Sequence, residues 1–322
     1  MKAIVKSFLI LASAIIFFSS CNNADKKIAI ITLMQHPVLD SVEAQTKKYL
    51  LEHGYDKAHG YTIIEKNLNG QKDLLPTVVN EINNQKPVLI IAITTPVAQA
   101  FVKKATCPVV FSLVTDPIEA GILDSLTQTK PNVTGTSDVF PYEEQIKLIR
   151  EIHPNAKTIG LVYDPGEAPA RFALAQLSRV CPKYGFELIS KPATSSSEVP
   201  LAAKSLIGKA EIFFVSSDNT AIESVPALVS ICVRNKIPLY VGETGSVEKG
   251  GIATCSVSYG SFGVATGQLA DRVLKGEKNI PTYIPSEFEI AVNTKAAELM
   301  NVQIPDSVIK KAKNVYNQIK DK

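Results

Sequence analysis

Tryptophan is absent from this chain of 322 residues, histidine occurs four times and cysteine five times. Each scarcity removes a class of function. His36, His53, His59 and His153 show no metal-ligand spacing, which argues against a metal cluster. Beyond Cys21, the cysteines Cys107, Cys181, Cys232 and Cys255 form no C-x-x-C pair. Cys232 falls in a predicted helix and Cys255 in a predicted strand, where a small buried hydrophobe is the expected role. The missing tryptophan weighs against a sugar site built on indole stacking, although tyrosine and phenylalanine stack too. Neither sign of charge is in excess: 34 Lys and Arg against 31 Asp and Glu leave +3. Setting aside Lys2 and Lys6 of the leader leaves +1, with no concentrated basic face for nucleic acid. The chain has no H-E-x-x-H, no G-x-x-x-x-G-K-[ST] and no G-x-S-x-G, so neither catalysis nor a cofactor is expected.

The one exceptional apolar run is at the start. Lys2 and Lys6 precede Phe8–Phe18, a stretch too short for an ordinary membrane span and typical of a signal peptide over residues 1–20. Phe18-Ser19-Ser20-Cys21 resembles a bacterial lipobox, which implies cleavage before Cys21 and diacylglyceryl modification of its thiol. Residues 21–26 then form a short polar tether, and acyl chains would hold the protein at a membrane surface.

From Lys27 onward, strands and helices alternate. Lys27–Leu33, Tyr61–Asn67, Val88–Ile93, Val109–Leu113 and Val133–Thr136 read as strands. Helices Val38–His53, Lys72–Asn83 and Pro96–Thr106 lie between them. After a helix at Pro141–Ile152 the pattern restarts. Strands are expected at Thr158–Tyr163, Glu187–Lys191, Ile212–Val215, Leu239–Gly242, Ala253–Val257 and Glu287–Asn293. Helices are expected at Ala168–Tyr184, Ser197–Leu206, Ala221–Asn235, Tyr259–Leu274 and Asp306–Ile319. Two β-α-β-α-β series predict an α/β protein of two doubly wound, Rossmann-like lobes of parallel sheet. No Gly/Ser-rich linker separates them, so short hinge strands should join them. The first lobe is expected to comprise 27–138 plus 258–284, and the second 139–257 plus 285–322.

Ligands of open parallel sheets bind beyond the carboxyl ends of the strands. That rule selects Gln35–Pro37, Thr94–Thr95 and Thr115–Asp116 in the first lobe. In the second it selects Asp164–Glu167, Ser216–Asn219 and Glu243–Ser246. Thr94 and Thr95 end a continuous apolar strand just before Pro96 opens a helix, a natural anion site with free backbone N–H groups. Thr94, Thr95 and Ser217 suit a carboxylate; Asp116, Asp218 and Glu243 suit an ammonium. Each also has a plainer reading. Thr94, Asp218 or Asn219 can cap a helix, Asp116-Pro117 can form a turn, and His36-Pro37 can be a loop with a solvated imidazole. Phe140, Tyr142, Tyr259 and Phe262 lie near the crossings between lobes, to pack the hinge or to flank a ligand ring.

In their order and spacing these segments resemble the ABC transporter substrate-binding lipoproteins of the tryptophan/tyrosine-uptake type. The markers include His36-Pro37-Val38-Leu39-Asp40, Ala92 through Gln99 and Val114-Thr115-Asp116-Pro117. They continue with Asn132 through Gly135, Ser137-Asp138, Tyr163 through Glu167, Asp218-Asn219-Thr220 and Leu274 through Glu277. The resemblance implies a periplasmic-binding-protein type I fold and a small ligand, often an aromatic amino acid. It also implies delivery to a membrane permease with its ATPase, by a monomer held on the extracytoplasmic side of a bacterial membrane. Carried over residue by residue, it points to Thr94, Thr95, Thr115, Asp116, Glu167, Asn219, Glu243 and Ser246 as ligand contacts. Two positions depart from its pattern: Pro169 stands where asparagine is common, and Glu243-Thr244-Gly245-Ser246 where Asp-Thr-Asp-Ser is common. Three alternatives stay open: a ligand sensor for a membrane receptor, a sugar or nucleoside binder, and an envelope enzyme using Asp116, Glu167 or Asp218 as acid or base.

Overall fold

The computed structural model describes residues 25–125, 131–257, 259–285 and 287–320. The leader and Cys21, the proposed lipid-bearing residue, lie outside them. Strands β1 (Lys26–Thr32), β2 (Tyr61–Asn67), β3 (Leu89–Ile93), β4 (Val109–Ser112) and β5 (Val133–Gly135) form one sheet in the order β2-β1-β3-β4-β5. All its pairings are parallel. Every residue of β3 is buried, as a strand covered on both faces requires. Helices α1 (Pro37–Glu52), α2 (Leu75–Asn84) and α3 (Thr95–Val102) make the crossovers.

After α4 (Tyr142–Ile152), the second lobe repeats the plan. Strands β6 (Thr158–Tyr163), β7 (Glu187–Pro192), β8 (Ile212–Val215) and β9 (Leu239–Val241) are parallel in the order β7-β6-β8-β9. They are linked by α5 (Ala168–Val180), α6 (Val199–Lys204), α7 (Asn219–Glu223) and α8 (Val225–Asn235). The expected single helix Ala221–Asn235 is thus two. Pro226 has no N–H to continue the ladder to Ile222 O, and its ring crowds that carbonyl; the chain breaks at Ser224, whose hydroxyl donates to Thr220 O at 3.0 Å.

The C-terminal quarter departs most from expectation. After α9 (Thr244–Glu248), strand β10 (Ala253–Val257) leads to α10 (Phe262–Leu274). It pairs antiparallel with β11 (Phe288–Asn293), so this lobe is not purely parallel. Helices α11 (Thr294–Leu299) and α12 (Asp306–Lys311) follow. The expected helix Asp306–Ile319 stops at Lys311, and Ala312–Tyr316 becomes strand β12, parallel to β11. Val308, Ala312, Val315 and Ile319 carry helical spacing, but the free edge of β11 offers backbone partners that outweigh local propensity.

Helix α10 packs on α1 of the first lobe. Gly263 makes the contact possible: a Cβ there would lie 2.4 Å from Gln45 Cβ and 2.9 Å from Val42 O. Thr46 Oγ1 donates to Gly263 O at 3.1 Å, and Tyr55 OH to Asp271 at 2.7 Å. The passages between lobes are tied together, with Ser137 N–H donating to Tyr283 O and Tyr283 N–H to Gly135 O, both at 2.9 Å. One apolar cluster runs through Phe140, Tyr142, Tyr259 and Phe262 from one lobe to the other. Cys181, Cys232 and Cys255 are buried and Cys107 half-buried, all as free thiols, and burial raises each of them. Among the described residues no helix is long and apolar enough to cross a membrane.

Gly263→Val should therefore lower stability by about 2–3 kcal/mol through overpacking of α10 on α1. Urea denaturation measures it, and an unchanged midpoint would show that the helices separate without cost.

Candidate functional site

In both sheets the strand order reverses next to the first strand, between β1 and β3 and between β6 and β8. Loops leaving adjacent strands there turn to opposite faces and leave a crevice. The two crevices face each other, and between them lies a small cavity of roughly 50 Å³ lined from both lobes.

The first lobe supplies Met34, His36, Val38, Leu39, Thr94, Thr95, Leu113 and Thr115 to its wall. Thr94 has φ +87° and ψ 154°, a conformation nearly confined to glycine, at the junction of β3 and α3. Its hydroxyl makes no cap bond, so the capping alternative does not apply to it. Thr94 Oγ1 is buried with no partner. Thr95 Oγ1 accepts from Thr115 N–H at 3.4 Å, which ties the ends of β3 and β4 together. His36 is buried, not solvated: it is 4% exposed and caps α1, Nδ1 accepting from Val38 N–H at 3.4 Å. In the neutral ring that leaves the proton on Nε2, which faces Glu243 Oε1 at 3.5 Å without a hydrogen bond.

The second lobe adds Pro169, Ser217, Asn219, Ile222 and Glu243. Glu243 caps α9, its two oxygens accepting from Gly245 N–H at 2.5 Å and Ser246 N–H at 2.7 Å. Burial acts to raise its carboxyl, but His36 and the Ser246 bonds outweigh it and hold it below the ordinary value. Gly245 gives His36 its room, since a Cβ there would lie 2.7 Å from the imidazole Cε1. Ser217 Oγ and Tyr142 OH are 2.8 Å apart. Asn219 Nδ2 donates to Glu167 Oε2 at 2.7 Å.

Asp138, Phe140 and Tyr259 complete the wall from the crossings. Tyr259 hydroxyl donates to Asp138, whose Oδ1 is buried and unpartnered. Burial pushes the Asp138 carboxyl up to about 7. Among the described residues, no group of His, Cys, Asp and Glu is set to hold a metal.

Of the residues selected from sequence, Thr94, Thr95, Thr115, Ser217, Asn219 and Glu243 come together on this cavity, and Asp116, Glu167 and Ser246 do not. Asp116 accepts from Ile118 and Glu119 N–H, both at 2.9 Å, as a turn former does. Glu167 stands behind Asn219 and pairs with Lys72. Ser246 is buried behind Glu243. Asp218 caps α7 through Ala221 N–H at 3.2 Å, and burial, then the Glu167 charge, raises its carboxyl. Asp138 is the chemically capable residue that sequence reasoning passed over, although it follows a strand end; His36 lay in a selected loop, but a solvated imidazole was the plainer reading there.

The ABC transporter substrate binding protein family matches residues 27–316. A tyrosine-binding protein of Clostridioides difficile is 33% identical over 86% of this chain and 81% of its own length. The structure of an ABC domain from Streptococcus pneumonia in complex with L-Trp is 30% identical, with a TM-score of 0.86 over 90% of this chain and 99% of that one. The ligand-free, open structure of a substrate-binding protein with adhesive properties from Clostridium difficile is also 30% identical. Its TM-score is 0.67, over 91% of this chain and all of its own. At equal identity, this chain superimposes better on the L-Trp complex than on the open structure.

Thr94→Gly relieves a strained backbone worth about 1–3 kcal/mol, against about 0.5–1 kcal/mol lost to the freer unfolded chain. The ligand-free variant should gain roughly 1 kcal/mol in urea denaturation; a lower midpoint would show that Thr94 is not strained.

Proposed function

We propose that this chain, which belongs to the ABC transporter substrate-binding protein family, captures a free aromatic L-amino acid, tyrosine or tryptophan, between its lobes. One observation carries the reading. Two buried polar atoms without a partner, Thr94 Oγ1 and Asp138 Oδ1, line the same inter-lobe cavity, beside His36 Nε2, which meets Glu243 only at 3.5 Å. Buried polar groups are seldom left unpaired, and a ligand that supplies partners to Thr94 and Asp138 explains both.

Asp138 takes the α-ammonium, forming a charge-assisted bond about twice as strong as a neutral one. The start of α3, with Thr94 and Thr95, takes the α-carboxylate, where the helix end favours negative charge. Leu39, Phe140, Pro169 and Tyr259 supply apolar wall for the ring. Pro169 in place of an asparagine extends that wall. The relatives that bind tyrosine or hold L-Trp support this choice of ligand.

The lobes are 27–138 with 258–284 and 139–257 with 285–322; the packing of α10 on α1 and the pairing of β11 with β10 support this division. The lipobox-like segment supports anchoring through Cys21 on the extracytoplasmic face, where the protein, as a monomer, hands its ligand to the permease. A binding role rather than catalysis is supported by Asp116, engaged in a turn, Glu167, paired with Lys72, and Asp218, engaged in a cap.

Thermal shift with L-tyrosine, L-tryptophan, sugars and nucleosides tests the ligand class, because binding to the folded state raises the melting temperature. Only the aromatic amino acids should raise it; failure of both would overturn the proposal. The pH dependence follows from Asp138. Its carboxyl is pushed up to about 7, and an ammonium requires it ionised. Affinity should hold above that pH and fall roughly tenfold per unit below it. Asp138→Asn should weaken binding about 100-fold and flatten the profile between about pH 5 and 7. Calorimetry at several pH values checks both.

A further inference from the structure

The lobes also meet at the lip of the cleft, outside the cavity wall. After β2 the chain turns and enters a single 3-10 turn, Lys72–Leu74. The turn is pinned to the end of β1: Leu68 N–H donates to Thr32 O at 3.0 Å and Gly70 N–H to Leu33 O at 2.8 Å. Gly70, at φ +80°, lets this lip approach the other lobe, because a Cβ there would lie 2.6 Å from Glu223 Oε1. Lys72 reaches across from it. Its Nζ donates to Thr220 Oγ1 at 2.6 Å and to Asp164 Oδ2 at 3.2 Å, and it pairs with Glu167.

We propose that Lys72 is a positioning residue for the ligand. It is a cross-lobe latch that biases the lobes toward closure and holds Asn219 on the cavity wall through Glu167. The inference deepens the amino-acid-binding reading and rests on it for its ligand.

Three features carry it. First, Lys72 belongs to one lobe and its partners to the other, so any opening wide enough to admit a ligand breaks the contact. Second, the partners are buried acids. The Asp164 and Glu167 side chains are 7% and 4% exposed. They stand with Asp218, whose Oδ2 accepts from Asp164 N–H at 2.6 Å. Withdrawing Lys72 leaves this cluster without the cation that pairs with it, and an unpaired buried charge is costly. Third, there is a relay. Glu167 Oε1 faces Lys72, while Oε2 accepts from both N–H (3.1 Å) and Nδ2 (2.7 Å) of Asn219, which lines the cavity. Lys72 itself does not line it. The other lip pair, Glu119–Arg171, is 3.8 Å apart and solvent-exposed, a geometry that contributes little.

Stopped-flow and equilibrium binding of L-tyrosine and L-tryptophan test the latch. Lys72→Met should raise Kd by about 10- to 100-fold, almost entirely through a faster off-rate. Lys72→Arg, which keeps the charge, should restore most of the affinity, and Glu119→Gln should leave it unchanged. Adding Glu167→Gln to Lys72→Met should cost little more, because the two act through one contact. Ligand-free melting curves confirm folding, and Lys72→Gln replaces the methionine variant if that one does not fold. An unchanged off-rate in a folded Lys72 variant overturns the latch. If wild-type protein binds neither amino acid, the ligand assignment falls instead. The latch is then judged by the distance between spin labels on the two lobes: Lys72→Met should lengthen it, and no change overturns the proposal.

Discussion

A parallel strand buried on both faces has no place for polar side chains along its length. Every residue of β3 and β8 is buried, and both strands are apolar throughout. The chemistry is therefore pushed to the carboxyl ends, where the strand stops and the chain turns toward a helix. With two such sheets pointing these ends at each other, the polar groups of the protein's centre are gathered in one place. Thr94 and Thr95 after β3, Ser217 and Asn219 after β8, and Glu243 after β9 are all consequences of that single rule.

The two halves contribute unequally. The first lobe brings hydroxyls, an imidazole and the start of α3. The second brings carboxylates that are already spoken for: Glu243 by the N–H groups of α9, Glu167 by Asn219 and Lys72, Asp218 by Ala221. What is left for a ligand comes mostly from the first lobe and from the crossing at Asp138. A small molecule that satisfies those atoms is thereby enclosed by a second lobe whose polar groups are held rigid. Selection between open and closed arrangements then depends on how much better the closed one holds it.

The layered α/β plan was legible in the sequence because its signals are local. Apolar runs of four to six residues, each followed by a polar turn and an amphipathic helix, identify themselves without reference to the rest of the chain. The strand ends follow from the same reading, which is why Thr94, Ser217 and Glu243 could be selected. His36 was harder. Its burial depends on Gly245, distant in the sequence, whose missing Cβ leaves the imidazole space. Asp138 becomes a cavity residue only because Tyr259 arrives from another passage between the lobes and donates to it. Strand β12 reads as helix because its helical spacing is real, and only the edge of β11 overrides it. Asp116 shows the reverse error: a strand-end acid in the right loop, turned back onto its own backbone.

The chain's lack of tryptophan acquires a use once Tyr259 is seen on the cavity wall with Tyr142 close behind Ser217. The protein emits no indole light of its own. An indole enclosed there would be the sole such fluorophore in the complex, and its colour would report directly on the dryness of its surroundings. Excited tyrosines beside it would pass their energy to it, so that the unlabelled protein serves as its own optical gauge of occupancy.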